Sequence, residues 1–172
     1  MRIVPNAGTD RVIDSLTPWM QAGTRIDVIT PELSLFAFAE LRDQLQGLAG
    51  ARVIVPDAEA DLRLTGSQGD RGARNRLTTH WLAGQLAEWI EKRAQVLGAR
   101  SAVPQGAVIA RDAAGDPTHA ILGATPFTTD GLGVAPGNPL TLIQATDDHT
   151  ESLALARWFD AQWSGIKAMA WL

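Results

Sequence analysis

Residues 103–132, VPQGAVIARDAAGDPTHAILGATPFTTDGL, decide how this sequence is interpreted. Two apolar runs flank the turn sequence DAAGDP, and a Gly-containing loop follows the second run. Apolar runs around a turn rich in Gly and Asp predict paired strands, here at 100–111 and 118–125. The stretch has the form of a hairpin that carries a nucleophile, so the question is which residue that nucleophile would be.

The composition indicates one globular domain that covers residues 1–172. Apolar residues make up 45% of the chain, which is enough for a sizeable core. The formal net charge is −4, from 15 Lys and Arg against 19 Asp and Glu, so nucleic acid would need a local basic patch. The absence of Cys excludes disulfides, thiolate metal sites and a cysteine nucleophile, and it suits a reducing compartment. Because no apolar run approaches the ~18 residues of a membrane span, we expect a cytoplasmic protein without a membrane partner.

The spacing of apolar residues predicts an α/β fold. Runs rich in β-branched residues predict strands at 25–30 (RIDVIT), 51–56 (ARVIVP) and 140–145, in addition to the hairpin. Helical spacing predicts helices at 10–22, 32–46 and 71–93, and a last helix that begins near Asp148 and Glu151. Strand, helix and strand in succession imply a right-handed crossover, so we expect a mixed, largely parallel sheet.

Standard catalytic and cofactor motifs are missing from the sequence. His80, His119 and His149 are separated by 30 or more residues, and none is spaced with another metal ligand as a zinc site requires. There is no G-x-S-x-G elbow, no G-x-x-x-x-G-K-[ST] phosphate loop and no G-x-G-x-x-G turn. We therefore expect neither a cofactor nor a metal in this domain, while a Ser-His-Asp triad is left open.

A basic cluster at the start of the third predicted helix is the best candidate for a polyanion site. Arg71, Arg74 and Arg76 lie in the sequence GDRGARNRLTTHW. Arginine offers paired donors to phosphate, and a helix N-terminus adds backbone amides and the positive end of the dipole. The alternative is a solvated face, or pairing of these arginines with Asp61 and Asp70.

Three strings of this sequence resemble the phospholipase D-like domain at the front of bacterial SWI/SNF-type DEAD/DEAH-box helicases. The strings are NRLTTHWLAGQLAEWI at 75–90, GATPFTTDGLGVAPGNPLTLIQ at 123–144 and ARWFDAQW at 156–163. The middle string is the most specific, since an irregular Gly-Phe-Thr loop before a strand rarely arises by chance. The resemblance covers nearly the whole chain and implies a phospholipase D-like sheet flanked by helices on both faces. It also implies, together with the apolar end AMAWL, that the chain is the N-terminal part of a longer helicase polypeptide.

The resemblance also shows what has happened to the nucleophile. Enzymes of this superfamily carry H-x-K on a strand and a downstream G-S-x-N-F loop, in which the His attacks phosphorus and the Lys and Asn neutralise the developing charge. In this sequence Gln105 stands at the His position, Ala107 at the Lys position and Pro126 at the Asn position, with Pro139 near the downstream acidic position. None of these side chains can supply the lost chemistry, so we expect no catalytic residue.

The leading hypothesis is therefore a non-catalytic domain that docks DNA or RNA for an attached helicase core. Arg71, Arg74 and Arg76 would contact phosphates, and Thr128 and Thr129 would line the former catalytic pocket. A second hypothesis is a homodimerisation or regulatory module whose runs AVIA and HAILGA pack on a second copy or on the helicase core. A third is an active phosphodiesterase or nuclease that uses His119 or His80.

Overall fold

The computed structural model describes residues 1–57 and 76–169, with the side chains of Arg76 and Leu77 outside that description. The helices are α1 (Val12–Trp19), α2 (Leu35–Gly47), α3 (Arg76–Arg93) and α4 (His149–Met169). The strands are β1 (Arg2–Ile3), β2 (Arg25–Ile29), β3 (Gly50–Pro56), β4 (Ala94–Ala99), β5 (Gly106–Arg111), β6 (Pro117–Gly123) and β7 (Ile143–Thr146). None of the helices in these ranges is long and apolar enough to cross a membrane.

The strands of the described residues form one mixed sheet in the order β1-β7-β6-β5-β2-β3-β4. Only the pairs β2–β3 and β3–β4 are parallel, whereas the four remaining pairs are antiparallel. The mixed α/β fold is thus as predicted, but the expectation of a largely parallel sheet is wrong. The crossover argument holds for β2-α2-β3-α3-β4 alone, because the β5–β6 hairpin inserts beside β2 and β7 continues the antiparallel half.

The predicted hairpin is present, with a later start than the sequence suggested. β5 begins at Gly106, since Pro104 has no N–H to give to a strand ladder. In the turn, the Asp112 side chain accepts hydrogen bonds from the backbone N–H groups of Ala114 and Asp116, at 2.9 Å each. Gly115 adopts a φ of 91°, which is why Gly is favoured there. The local turn chemistry therefore fixes the register of β5 against β6.

Two apolar clusters cover the sheet because neighbouring residues of a strand point to opposite faces. One cluster combines Ile26 and Val28 of β2 with apolar side chains of α1, α2 and α3. The other combines Ile29 of β2 with Ile54, Ile109 and, from α4, residues that include Phe159. The face that α4 covers is the one that positions the candidate site.

Two glycine substitutions provide a test of the fold. A Cβ at Gly106 would lie 2.1 Å from the Thr125 carbonyl oxygen, whereas a Cβ at Gly84 in α3 meets nothing within 4 Å. We expect Gly106→Ala to destabilise the fold by about 3 kcal/mol through this backbone clash. Gly84→Ala, the matched control, should stabilise it by about 0.5–1 kcal/mol because alanine is the better helix former. Urea unfolding followed by circular dichroism measures both, and equal effects of the two changes would contradict the packing around β5.

Candidate nucleic-acid interface

Asp27 is a buried carboxylate in the middle of an apolar strand. Its side chain is only 3% exposed, and it lies between Ile26 and Val28 in β2. The register pairs Asp27 with Arg52 of the neighbouring strand β3. Arg52 donates from Nε and Nη2 to the two carboxylate oxygens of Asp27, at 2.7 and 2.8 Å. This two-point geometry is the strong form of an arginine-carboxylate pair.

Arg111 and Asp160 complete an ion cluster that joins three strands and a helix. Arg111 at the end of β5 donates from Nε to Asp27 Oδ2 at 2.6 Å. Asp160 of α4 accepts at Oδ1 from Arg52 Nη2 at 2.7 Å and from Arg111 Nη2 at 3.1 Å. The four residues Asp27, Arg52, Arg111 and Asp160 are called the ion cluster below.

Arg52 is the residue through which the ion cluster meets the apolar packing of α4. Burial acts to lower the pKa of Arg52, but the hydrogen bonds with Asp27 and Asp160 outweigh it and raise that pKa above its ordinary value. The guanidinium carbon also lies 5.0 Å from the centre of the Phe159 ring and 5.5 Å from that of Trp163. The Arg52 side chain is thus held as a fixed cation under α4.

The ion cluster forms the floor of an open depression of about 640 Å³, which is called the basic depression below. The depression lies at the end of the sheet where β2, β3 and β4 begin and where β5 ends. Besides the ion cluster, its charged and amide side chains are those of Arg25, Glu91, Lys92, Arg93 and Gln95. Five cationic side chains therefore stand against three acidic ones, which makes this local surface positive in a chain of net charge −4.

Arg25 and Arg93 are the cations of the basic depression that are most open to a ligand. Arg25 is exposed and lies directly opposite Arg111 in the β2–β5 register, an unfavourable like-charge pairing. Within the described part of the chain, no carboxylate pairs with Arg25. Arg93 donates from Nη1 to the Leu48 carbonyl over a long 3.4 Å, while Lys92 is already paired with Glu88 at 2.6 Å. An anion bound between Arg25 and Arg93 would offset the repulsion between Arg25 and Arg111.

The backbone between these two arginines is open to the close approach of a ligand. Gly50 at the start of β3 pairs with Arg25, and its nearest neighbour in the direction of a side chain is the Arg93 carbonyl, at 3.7 Å. Arg25 begins β2, and Arg93 is the last residue of α3, immediately before β4. Since β4 lies two places from β2 in the sheet, the two backbones are separated by about 10 Å. This spacing suits an extended polyanion better than one small ion.

The basic cluster predicted from the sequence is not on view in the structure. Arg71 and Arg74 lie outside the described residues, as do Asp61 and Asp70, and so do residues 170–172 of the apolar end. Arg76 is the first residue of α3, but its side chain is not described. Their role as phosphate ligands stays a prediction.

Thr128 and Thr129, predicted to line the former catalytic pocket, are both buried. The Thr128 hydroxyl donates to Asp130 at 2.5 Å and accepts from the Gly131 N–H at 3.2 Å. In this arrangement Thr128 shapes the loop, and a bound phosphate could reach it only after the loop opens. Their direct contact with nucleic acid likewise stays a prediction.

The positions that correspond to the H-x-K motif lie in two different environments. Gln105 is exposed just before β5, whereas Ala107 is buried in the cluster that includes Phe159 and Trp163. A lysine at position 107 would have to place its ammonium group near these aromatic rings. Pro126 uses its carbonyl to accept from the Thr128 N–H at 2.8 Å, and its ring offers no donor. Of these three side chains only the Gln105 amide is polar, and the absence of catalysis stays a prediction.

The hairpin offers little free apolar surface for a partner. Val108, Ile109, Ala110, Ala120 and Ile121 are all buried within the chain itself. His119 on the same hairpin stacks on Trp19, with ring centres 4.8 Å apart, and its Nδ1 lies 3.0 Å from the Thr118 hydroxyl. Among the described residues, no group of three or more His, Asp or Glu side chains could hold a metal ion.

No protein-family model matches this chain, and a comparison with curated proteins finds no match.

Sequence reasoning missed Arg25, Arg93 and the ion cluster. One signal was available, since the alternation of RIDVIT places Arg25 and Asp27 on the same face of an otherwise apolar strand. A carboxylate at a buried position requires cationic partners. Which arginines supply them depends on long-range register, and Arg111 is 84 residues away.

The ion cluster leads to a stability prediction. In Asp27→Asn the two guanidinium groups lose their buried anion, and we expect unfolding to become easier by about 3 kcal/mol. Asp43→Asn, whose carboxylate is 83% exposed and lies 3.5 Å from Arg42, should change stability by less than about 0.5 kcal/mol. Urea denaturation measures both variants. A loss no greater in Asp27→Asn than in the control would contradict the central role of Asp27.

Proposed function

We propose that this chain is a non-catalytic phospholipase D-like domain that docks nucleic acid for an attached helicase. The observation that carries the docking proposal is the basic depression, in which Arg25 and Arg93 are exposed and, among residues 1–57 and 76–169, have no carboxylate partner. Exposed arginines that lack an internal anion are the usual means by which a protein holds phosphate groups. The membership of the phospholipase D-like family and the helicase partner rest on the sequence resemblance.

The sheet face under α4 has an apolar end and a charged end. Their chemistry supports docking rather than phosphodiester hydrolysis. At one end, Ala107 and its neighbours pack around Trp163 and Phe159. At the other end, guanidinium groups are present but every described carboxylate near them is engaged with an arginine or belongs to the exposed Glu91. Guanidinium groups bind phosphate but do not serve as nucleophiles or general bases at neutral pH. The arrangement is suited to holding a polyanion.

Binding of fluorescein-labelled single- and double-stranded DNA and RNA across a salt series tests the proposal. We expect Arg25→Ala with Arg93→Ala to weaken binding and to reduce the slope of log K against log salt by about 2, because two phosphate contacts are lost. The triple change of Arg71, Arg74 and Arg76 to Ala measures the contribution of the cluster predicted from sequence.

A matched control removes the same amount of charge elsewhere. Arg157→Ala with Lys167→Ala takes two cations from α4 outside the basic depression. Equal weakening by the control pair would show that only the overall charge matters. Absence of binding at low salt in the unmodified chain would overturn the docking proposal.

A second candidate function is a protein-interaction module. An exposed apolar surface away from the hairpin supports it. Ile3, Leu140 and Leu142 are 57%, 89% and 59% exposed, and they line one depression together with Val134. Clustered exposed apolar residues often mark a protein contact.

The oligomeric state tests this second candidate. If the chain self-associates through this surface, Leu140→Asp with Leu142→Asp should convert a dimer into a monomer in sedimentation equilibrium. A monomer before and after the change would exclude self-association at this surface and leave the helicase core as the partner to test.

A further inference from the structure

Two arginine side chains in the floor of the basic depression aim at one point. Asp27 accepts from Nε of both Arg52 and Arg111, so one buried carboxylate sets the orientation of both guanidinium planes. Each arginine then directs its Nη2 to the same atom, Asp160 Oδ1, at 2.7 and 3.1 Å. Two guanidinium donors fixed on a single oxygen are an oxyanion site in geometry.

Asp160, which accepts from both arginines, is the most exposed residue of the ion cluster. The Asp160 side chain is 48% exposed, against 3% for Asp27, 14% for Arg111 and 29% for Arg52. In the described structure its contacts to the cluster are made through Oδ1 alone. Asp160 can therefore leave by rotation of its side chain into solvent, while Asp27 keeps the two arginines in place.

We propose that Arg52 and Arg111 form a phosphate site whose resident anion is the Asp160 carboxylate, and that a backbone phosphate of nucleic acid displaces it. Asp160 Oδ1 stands where a phosphoryl oxygen of the ligand would lie. With Asp160 in place, two arginines face two carboxylates and the cluster is neutral. When Asp160 leaves, the site carries one positive charge. The inference rests on the proposed docking function for the identity of the ligand, but the oxyanion site itself rests on the geometry.

The neighbours of the cluster favour a polyanion over a single small anion. Arg25 lies opposite Arg111 in the strand register, and its like charge favours any anion that approaches between them. Arg93 adds a further exposed cation in the same depression. A polyanion can contact these two rim arginines while one of its phosphates competes with Asp160. The Asp160 carboxylate thus competes with every anion for the site. It lowers the affinity for anions that cannot also contact Arg25 and Arg93.

Two variants that remove equal charge from the basic depression separate this proposal from a general field effect. Asp160→Asn removes the carboxylate that occupies the site between Arg52 and Arg111, and Glu91→Gln removes one that does not contact these arginines. We expect Asp160→Asn to raise the affinity for a labelled single-stranded oligonucleotide about tenfold and Glu91→Gln to raise it by less than about threefold, since only the former frees charged donors for a hydrogen bond. Urea unfolding of each variant provides a check that the fold is retained.

A second measurement uses inorganic phosphate as the probe and does not need nucleic acid to bind. Titration of the chain with phosphate, followed by NMR of the arginine side-chain N–H groups, should shift the signals of Arg52 and Arg111 at lower phosphate concentration in Asp160→Asn than in the unmodified chain. Arg52→Lys, combined with Asp160→Asn, should remove this gain because lysine lacks the paired donors.

The outcomes distinguish this inference from the proposed function. Phosphate binding that is strengthened in Asp160→Asn without any oligonucleotide binding would support the oxyanion site and overturn the docking function. Oligonucleotide binding that depends on Arg25 and Arg93 but is raised equally by Asp160→Asn and Glu91→Gln would overturn the Asp160 site and leave docking intact. No change in either probe with Asp160→Asn would also overturn it.

Discussion

The burial of one ionised carboxylate, Asp27, constrains the rest of this structure. An isolated carboxylate in a protein interior costs several kcal/mol, so its partners must be placed with good geometry. Arg52 and Arg111 come from the strands on either side of β2, and both reach Asp27 within 2.8 Å. A slip of one residue in either strand pairing would turn an arginine to the opposite face of the sheet. The ion cluster therefore specifies the register of β5, β2 and β3 more strictly than apolar packing alone.

The same interaction divides the face under α4 into two parts. Near Asp27 the floor is charged and open to solvent, whereas Ile29, Ile54 and Ile109 continue the strands into a closed apolar cluster. Since alternate residues of a strand share a face, β2 contributes to both parts: Arg25 and Asp27 lie in the charged part, and Ile29 lies in the apolar part. Ala107 falls in the closed part, whereas the exposed arginines Arg25 and Arg93 lie in the open part. One face of this fold thus combines a closed apolar cluster with an open surface that carries exposed arginines.

Local patterns in the sequence were enough to predict the four helices and the strands from β2 to β7 with the exception of β4; residues 71–75 of the range predicted for α3 lie outside the described residues. In β4, Ala94–Ala99 follows directly from the last turn of α3 without a Gly or Pro to mark the change, so no local signal separates the two elements. The strand order is a property of long-range pairing, and the position of β5 beside β2 reverses the expectation of a largely parallel sheet. For the same reason the sequence could show that Asp27 needs partners but not which arginines they are.

Helix α3 connects the basic cluster predicted from the sequence, at its first residue, with the basic depression, at its last turn. Its 18 residues extend about 27 Å, from Arg76 in the first turn to Lys92 and Arg93 in the last. Trp81 and Lys92 are 11 residues apart, which is three turns and places them on one side of the helix. Trp81 is 51% exposed, and the Arg42 guanidinium lies 5.1 Å from its ring centre, so a cation and an aromatic ring stand between the two ends. A nucleic acid strand that lay along this helix would meet Arg76 in the first turn, Arg42 beside Trp81, and Lys92 and Arg93 in the last turn. The basic cluster predicted from the sequence and the basic depression would then act as one interface. If they act separately, the basic depression must by itself account for the salt dependence of binding, since Arg25 and Arg93 at its rim are exposed and pair with no carboxylate of the part of the chain that the structure describes.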